Sequence, residues 1–348
     1  MSGFDSIIDQ DRPVRILSTF LQHGTIPHAL LLTGIEGVGK ENAAIAFATA
    51  CNCRGEHAGH RSKQERLPAP NGRHTALGPM PTSPCGSCKA CRKIESGNHP
   101  DIIRVKPSGP FIKIDQIRSL CQILAMKPYE ARIRVVIISD AQAMNPPAGN
   151  ALLKVLEEPP ERTVLILLAT QRADLLPTIV SRCQHIRFNP ISRKSLESLL
   201  IRKYELTPQT AMIITPMANG SLSRALSMYR SDWIHRRNWL INELNSLSSM
   251  PVGRLMAFGE QLSRDKDLVG ETIDVMTSWF RDLIVGKFYP EKIINRDLAD
   301  HVQQISQKMD LGALLSKIEI VQSTAHSMRV GTNLRLALET MLLKLARV

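Results

Sequence analysis

The residues from Gly34 to Lys40 (Gly-Ile-Glu-Gly-Val-Gly-Lys) have the composition of a phosphate-binding loop. They follow a short apolar run and precede an Ala-rich segment that predicts a helix. Glycines let backbone N–H groups wrap phosphates, the helix N-terminus favours negative charge, and a lysine reaches the terminal phosphates. Gly34, Gly37, Gly39 and Lys40 are therefore predicted to form a nucleotide site, because a Gly-rich turn with a chance lysine seldom has these neighbours.

The groups that would hold magnesium and activate water are poorly represented. A working loop of this kind has Ser or Thr after the lysine, whose hydroxyl binds Mg²⁺, and this chain has Glu41. A second apolar run ends at Asp140, which is suited to magnesium, but the next residue is Ala141. Alanine cannot polarise an attacking water. We expect ATP binding to be weak or absent, and metal-assisted hydrolysis to be poor.

Three of the seven cysteines form a metal-binding pattern. Cys85, Cys88 and Cys91 have two residues between successive thiols, a spacing that lets them converge on one tetrahedral Zn²⁺. Structural zinc takes four ligands, so a fourth must come from outside this run. Reduced thiols without metal are the simple alternative, and an iron–sulfur cluster is disfavoured because nothing else indicates redox work. Cys51 is one candidate for the fourth ligand, although it should lie on the preceding helix, and His57, His60 and His74 are weaker candidates.

The first half of the chain alternates buried strands with amphipathic helices. Apolar runs typical of parallel strands occupy 28–33, 102–105, 135–138 and 164–168. Helical patterns occupy 40–51, 114–126 and 150–158. This alternation predicts an α/β domain with a doubly wound parallel sheet.

The remaining segments differ in composition. Residues 54–84 contain five prolines and no Ile, Val, Phe, Tyr or Trp, so we interpret them as a mobile loop. After Pro190 the strand signal ends and helical patterns continue. Two apolar stripes at helical spacing are Val269, Ile273, Met276, Phe280 and Leu283, and then Leu334, Leu338, Met341, Leu342 and Leu345.

Overall composition sets limits on function. The chain has 348 residues, which predicts more than one domain, and a net charge of +12, which suits a polyanionic partner but gives weak support because the charge is spread along the chain. We find no apolar run long enough to span a membrane. The N-terminus lacks the basic and then apolar profile of a secretory signal. We expect a cytoplasmic protein without a membrane partner.

These motifs together resemble the clamp-loader branch of the AAA+ family, which serves bacterial DNA polymerase III. The resemblance covers nearly the whole chain and rests on Phe4–Gln10, Pro84–Cys91, Ala148–Pro160, Leu168–Thr170, Ser181–Cys183 and Asn333–Glu339. It implies a P-loop AAA+ domain over 1–189 with a zinc-module insertion at about 51–97, a small helical lid domain over 190–247 and an all-α collar domain for oligomerisation over 248–348.

The resemblance also implies roles for single residues. Cys53 would be the fourth zinc ligand, Thr170 would face the nucleotide, and Arg182 would be an arginine finger offered to ATP on a neighbouring subunit. From the sequence alone, an exposed salt bridge explains Arg182 better, and only the family motif favours the arginine finger. Family motor subunits have a nucleotide-sensing arginine where this chain has Ser223, with Arg224 one place later.

The implied function is that of a non-hydrolysing member of a hetero-pentamer that loads a sliding clamp onto primed DNA as part of the polymerase holoenzyme. Two alternatives stay open. One is an ATP-hydrolysing motor subunit with a variant site. The other is a zinc-dependent nucleic-acid-binding module on an inactive P-loop scaffold, which the lack of aromatic residues among Cys85–Cys91 disfavours.

Overall fold

The fold is that of a computed structural model, which describes residues 3–55, 74–76, 78–329 and 332–348. The chain divides into two compact units. The first comprises Met1–Ser195 together with Gly220–Arg224, and the second comprises Leu196–Asn219 together with Ala225–Val348. The finer predicted division of the helical part into lid and collar domains stays a prediction.

The first unit is built on a parallel sheet. The strands are β1 (Thr25–Pro27), β2 (Ala29–Thr33), β3 (His74–Ala76), β4 (Ile102–Val105), β5 (Arg134–Ile138), β6 (Thr163–Ala169) and β7 (Gln184–Arg187). Five of them form one parallel sheet in the order β4-β5-β6-β2-β7, while β1 and β3 pair separately and antiparallel. The sheet therefore has the predicted doubly wound topology, in which β2 inserts between β6 and β7, two strands that follow it much later in the chain.

Apolar side chains cover both faces of this sheet. The helices of the first unit are α1 (Asp11–His23), α2 (Lys40–Asn52), α3 (Lys89–Glu95), α4 (Ile114–Leu124), α5 (Pro146–Glu157) and α6 (Pro177–Val180). In β2, Leu30 and Leu32 join a core with α1 and α2, whereas Leu31 joins a second core with α4 and α5. All residues of β2, β5 and β6 are buried, which explains their continuous rather than alternating apolar sequence.

The second unit is helical throughout its described residues. After α7 (Arg193–Tyr204), which begins in the first unit, come α8 (Pro208–Met217), α9 (Leu222–Arg230), α10 (Trp233–Asn245), α11 (Val252–Ser263), α12 (Lys266–Phe288), α13 (Ala299–Lys308), α14 (Leu311–Arg329) and α15 (Leu334–Arg347). Helix α12 packs against α13 and α14, and α11 packs against α15. The predicted stripe of α12 is buried, as are Leu338, Met341, Leu342 and Leu345 of α15.

The sequence patterns missed some elements of the first unit. Strand β7 is short and largely polar, and only Ile186 of its residues is buried, so it lacks an apolar run. The interpretation of 54–84 as one mobile loop needs correction, because β3 pairs with β1 and Met80 is buried with its amide bonded to the Leu21 carbonyl. Residues 56–73 and 77 of that segment lie outside the described residues.

A buried carboxylate fixes the segment that precedes β5. Asp101 is 2% exposed and accepts hydrogen bonds from the amides of Tyr129, Glu130 and Ala131 at 2.8–2.9 Å. It also pairs with the buried guanidinium of Arg134 at 3.4 Å. Burial by itself would raise the pKa of Asp101, but the three amides and the positive charge outweigh it and hold the pKa below its usual value.

We predict that Asp101→Asn lowers the free energy of unfolding by about 3–5 kcal/mol, because it leaves the buried Arg134 charge without a counter-charge. A carboxyl with a lowered folded pKa stabilises the protein above its usual pKa of about 3.9, and this stability is lost as the pH falls through the folded pKa. Urea unfolding at pH 7 and at pH 3 measures both effects. An equal stability of the variant and the parent at pH 7 would contradict this assignment.

Candidate nucleotide and metal sites

Three predicted nucleotide-site residues lie at the same edge of the sheet. Gly34 follows β2, Thr170 follows β6, and Asp140 lies two residues after β5. These strands are parallel neighbours, so their carboxyl ends meet at one edge, where ligands of open α/β sheets bind. The amide of Gly34 donates to the carbonyls of Ala169 and Thr170 at 3.2 and 3.1 Å, which ties the start of the loop to β6.

The loop has the backbone shape of a phosphate-binding loop. Gly37 and Gly39 have φ values of 77° and 97°, which favour glycine, and Gly39 caps the N-terminus of α2. Lys40 begins α2, and its ammonium donates to the carbonyls of Gly34 and, at 2.9 Å, Ile35. Burial lowers the pKa of Lys40, and the nearby charges of Asp140 and Glu36 oppose this effect. The lysine donors thus hydrogen-bond to the loop itself.

A segment near the start of α9 packs directly on the loop. The amide of Leu222 donates to the Gly37 carbonyl at 3.1 Å. A Cβ atom on Gly37 would lie 2.3 Å from the Ser223 hydroxyl and 2.6 Å from that of Ser221, so this position excludes larger residues. Ser223, at the predicted sensor position, therefore contacts the loop with a short hydroxyl side chain.

The positions for magnesium and for water activation are engaged in other contacts. Glu41 forms an ion pair with Lys106, 3.3 Å between the carboxylate and the ammonium. Asp140 is exposed, with a left-handed backbone at φ 50°, and it accepts a hydrogen bond from Gln142 at 3.4 Å. Ala141 is fully buried. The geometry thus pairs the Glu41 carboxylate with a cation and provides no carboxylate at position 141.

Arg182 lies just after α6 with its guanidinium held by residues of α5 and α6. It donates to Glu157 at 2.8 Å and to the Thr178 carbonyl at 3.0 Å, and its side chain is 36% exposed. The structure therefore contains the exposed salt bridge considered in the sequence analysis. Such a pair costs little to break, because exposed ion pairs contribute about 0–1 kcal/mol.

Four thiols come together beside α3 and the end of α2. The sulfur atoms of Cys53, Cys85, Cys88 and Cys91 all lie within 4.8 Å of one another. The Cys85 and Cys91 sulfurs are 3.9 Å apart. Tetrahedral coordination at a metal–sulfur distance of about 2.3 Å places sulfurs about 3.8 Å apart, so the four residues fit one such ion.

Backbone amides donate to two of the four sulfurs, while burial raises the pKa of the Cys53 and Cys91 thiols. The amide of Cys85 donates to the Cys53 sulfur at 3.3 Å, and that of Cys88 donates to the Cys85 sulfur at 3.4 Å. The bond from the Cys88 amide is the main reason that the pKa of Cys85 falls to about 6. A Cβ atom on Gly55 would lie 2.6 Å from the Cys85 sulfur, so this site excludes larger residues.

The competing fourth ligands are not brought to this cluster within the described residues. Cys51 lies in the buried part of α2, and burial raises the pKa of its thiol. His57 and His60 lie outside the described residues, and for His74 the backbone alone is described. Cys53, which the family resemblance indicated, is the cysteine that the structure places with the other three.

Sequence reasoning missed two contacts made by residues of the predicted nucleotide site. Lys106, the partner of Glu41, lies just after β4 and belongs to no motif. The contact of Leu222 with Gly37 depends on a backbone amide, which has no sequence signature. Among the described residues, no helix combines the length and the apolar character needed to cross a membrane.

Comparison with known proteins identifies the family. A model described as DNA polymerase III, delta subunit, matches residues 73–192, and a model of the C-terminal part of that subunit matches 231–347. DNA polymerase III subunit delta' of Bacillus subtilis is 28% identical over 341 residues, covering 97% of this chain and 96% of that protein.

Related subunits show weaker similarity. Subunit tau of Bacillus subtilis is 26% identical over 99% of this chain, which spans 61% of the length of tau. The solved structure of a gamma subunit-related protein from Thermotoga maritima is 17% identical, with a TM-score of 0.44 over 97% of this chain and 99% of that chain. With two family models matched along its length and delta' similar from end to end, the chain belongs to the clamp-loader family of bacterial DNA polymerase III subunits, within which it resembles delta'.

Proposed function

We propose that this chain is a non-hydrolysing subunit of the replicative clamp loader, acting in the cytoplasm. It would join other clamp-loader subunits in a hetero-pentamer that places a sliding clamp on primed DNA. The observation that carries the proposal is the Glu41–Lys106 ion pair at the position where magnesium would need a neutral hydroxyl. The end-to-end similarity to a delta' subunit supports the same conclusion.

The loop contacts support weak or absent ATP binding. To receive a phosphate, the Lys40 ammonium would have to leave the carbonyls of Gly34 and Ile35. Gly34, Gly37, Gly39, Lys40, Asp140 and Thr170 remain the proposed nucleotide-site residues. They do not fit Mg²⁺-assisted hydrolysis, because Glu41 is paired and Ala141 carries no polar group.

Arg182 is proposed to promote ATP hydrolysis at the active site of a neighbouring subunit. A guanidinium beside a transferring γ-phosphoryl stabilises the charge that develops in the transition state. Arg182 is partly exposed, and its ion pair with Glu157 is of the weak, solvent-screened kind. An incoming phosphate of a neighbouring subunit would therefore compete favourably with Glu157 for the guanidinium.

The four-cysteine cluster is proposed to hold structural Zn²⁺. An all-thiolate tetrahedral set is closed, with no position for substrate, which is typical of structural zinc. The ion would join the end of α2 to α3 and stabilise the module through Cys53, Cys85, Cys88 and Cys91.

We predict that the purified chain shows background ATP turnover with Mg²⁺ and that Lys40→Ala leaves this rate unchanged. The reason is that the parent site already lacks a hydroxyl at Glu41 and a carboxylate at Ala141. Steady-state phosphate release measures the rate. Robust turnover that Lys40→Ala abolishes would instead identify an ATP-hydrolysing motor subunit.

We predict that Arg182→Ala lowers single-turnover hydrolysis at the neighbouring ATP site of the reconstituted complex by about 10³–10⁵-fold. Assembly, followed by gel filtration, should persist, because the side chain contributes only an exposed ion pair. Arg118→Ala removes an exposed α4 arginine paired with Asp115 and serves as the matched control. Equal rates for the two variants would refute the arginine-finger assignment.

We predict that the parent chain contains one zinc ion and that Cys53→Ser loses it, whereas Cys51→Ser retains it. The physical reason is that Cys53 lies within 4.8 Å of the other three sulfurs. Metal content by mass spectrometry after dialysis measures the result. Retention by Cys53→Ser together with loss by Cys51→Ser would assign the fourth ligand to Cys51.

A further inference from the structure

A second cluster of charged residues lies beside the cysteine cluster and has no role in the proposed function. It surrounds a cavity of about 180 Å³ between the end of α2, α3 and the segment before β5. Four cationic side chains and one carboxylate line it, an excess of three positive charges. The ionisable lining residues are Arg54, Lys89, Lys93, His99, Glu130 and Arg132.

Two donors in the wall have no hydrogen-bond acceptor among the residues that the structure describes. His99 is 4% exposed, and its Nδ1 accepts from the Asp101 amide at 3.2 Å, so the neutral ring carries its hydrogen on Nε2. That Nε2 lies 4.0 Å from the Glu130 carboxylate, longer than a hydrogen bond. The Nε of Arg132 is also buried, and it meets no acceptor in the described part of the chain.

Neighbouring residues hold the cavity wall in place. The Asn52 side-chain oxygen accepts from the amides of Arg132 and Ile133 at 2.9 and 3.1 Å. Asp101 accepts from the amide of Glu130, so the backbone of the segment before β5 is held on its side of the cavity. A wall that is held before the ligand arrives loses little conformational entropy on binding.

We propose that this cavity binds a phosphate group. Fixed donors with excess positive charge suit a tetrahedral oxyanion, which accepts several charge-assisted hydrogen bonds at once. Lys93 and Arg132 provide charge, and His99 provides a neutral donor. Glu130, which pairs with Lys93 at 2.5 Å, sets the limit on affinity because it repels the same anion.

The metal–thiolate charge is the main competing explanation for these cations. Four thiolates around a divalent ion carry a net charge of −2, and Arg54 and Lys89 directly follow the ligands Cys53 and Cys88 in sequence. Even when those two cations are assigned to the metal, the two positive charges of Lys93 and Arg132 still outnumber the single negative charge of Glu130. Neutralisation of the thiolates also gives no account of the unused donors on His99 and Arg132.

The test is titration of the full-length, metal-loaded chain with inorganic phosphate replacing chloride at constant ionic strength, followed by ³¹P line broadening. We expect saturable binding that Lys93→Gln weakens by roughly three- to tenfold and that Glu130→Gln strengthens. Lys308→Gln, which removes an exposed α13 lysine, should leave the affinity unchanged and serves as the control. Metal content and thermal midpoint in chloride establish that each variant is folded and loaded.

Two further arms locate the site and the source of the phosphate. The Lys40→Ala variant should still bind phosphate. If this variant failed to bind phosphate, the binding site would be the Gly34–Lys40 loop and the proposal would be wrong. A short oligothymidylate that competes with phosphate, with the same dependence on Lys93 and Glu130, would identify a nucleic-acid backbone as the source. Phosphate binding without such competition would identify a small free phosphate compound.

The opposite pattern would refute the phosphate site. If Lys93→Gln and Glu130→Gln change zinc retention while phosphate binding stays absent or equal in all variants, the cations serve the metal cluster alone. The test is independent of ATP turnover and of Arg182, so its failure and that of the proposed function are distinguishable.

Discussion

The complete burial of β2 between β6 and β7 is the constraint on which the first unit depends. A buried strand must pair all its backbone polar groups, so the ladders on both sides fix its register. That register determines where the chain leaves the sheet at Gly34 and therefore where the phosphate-binding loop starts. It also places Thr170 at the same edge, while the pairing of β5 with β6 adds Asp140.

On this scaffold, the loop has kept its backbone shape but its polar groups have partners within the chain. Lys40 bonds to loop carbonyls, Glu41 pairs with Lys106, and Gly37 receives the amide of Leu222. Of these contacts, the bonds of the Lys40 ammonium are the ones that a bound phosphate would replace. Through these contacts the loop joins the sheet, α2 and the first residues of α9, whereas the Arg182 side chain is partly exposed.

Sequence reasoning located the parts of the fold that depend on local pattern. The continuous apolar runs of β5 and β6 and the Gly34–Lys40 loop were readable because burial and backbone conformation restrict residue type. Strand β7 was missed because its sequence is largely polar. It forms a strand through its hydrogen bonds with β2, which the sequence pattern does not reveal. The contacts of Lys106 and His99 join residues distant in sequence, and such pairings follow from the tertiary structure alone.

The cysteine cluster also bears on how the chain reaches this fold. Cys85 follows Cys53 by 32 positions, and closing an unfolded chain of that length costs about 3 kcal/mol of chain entropy. Cys85, Cys88 and Cys91 are local, so a metal ion could bind them first and acquire Cys53 last. Doubling the intervening length would add only about 0.6 kcal/mol. The connection between Cys53 and Cys85 could therefore be lengthened at little entropic cost without separating the four thiols.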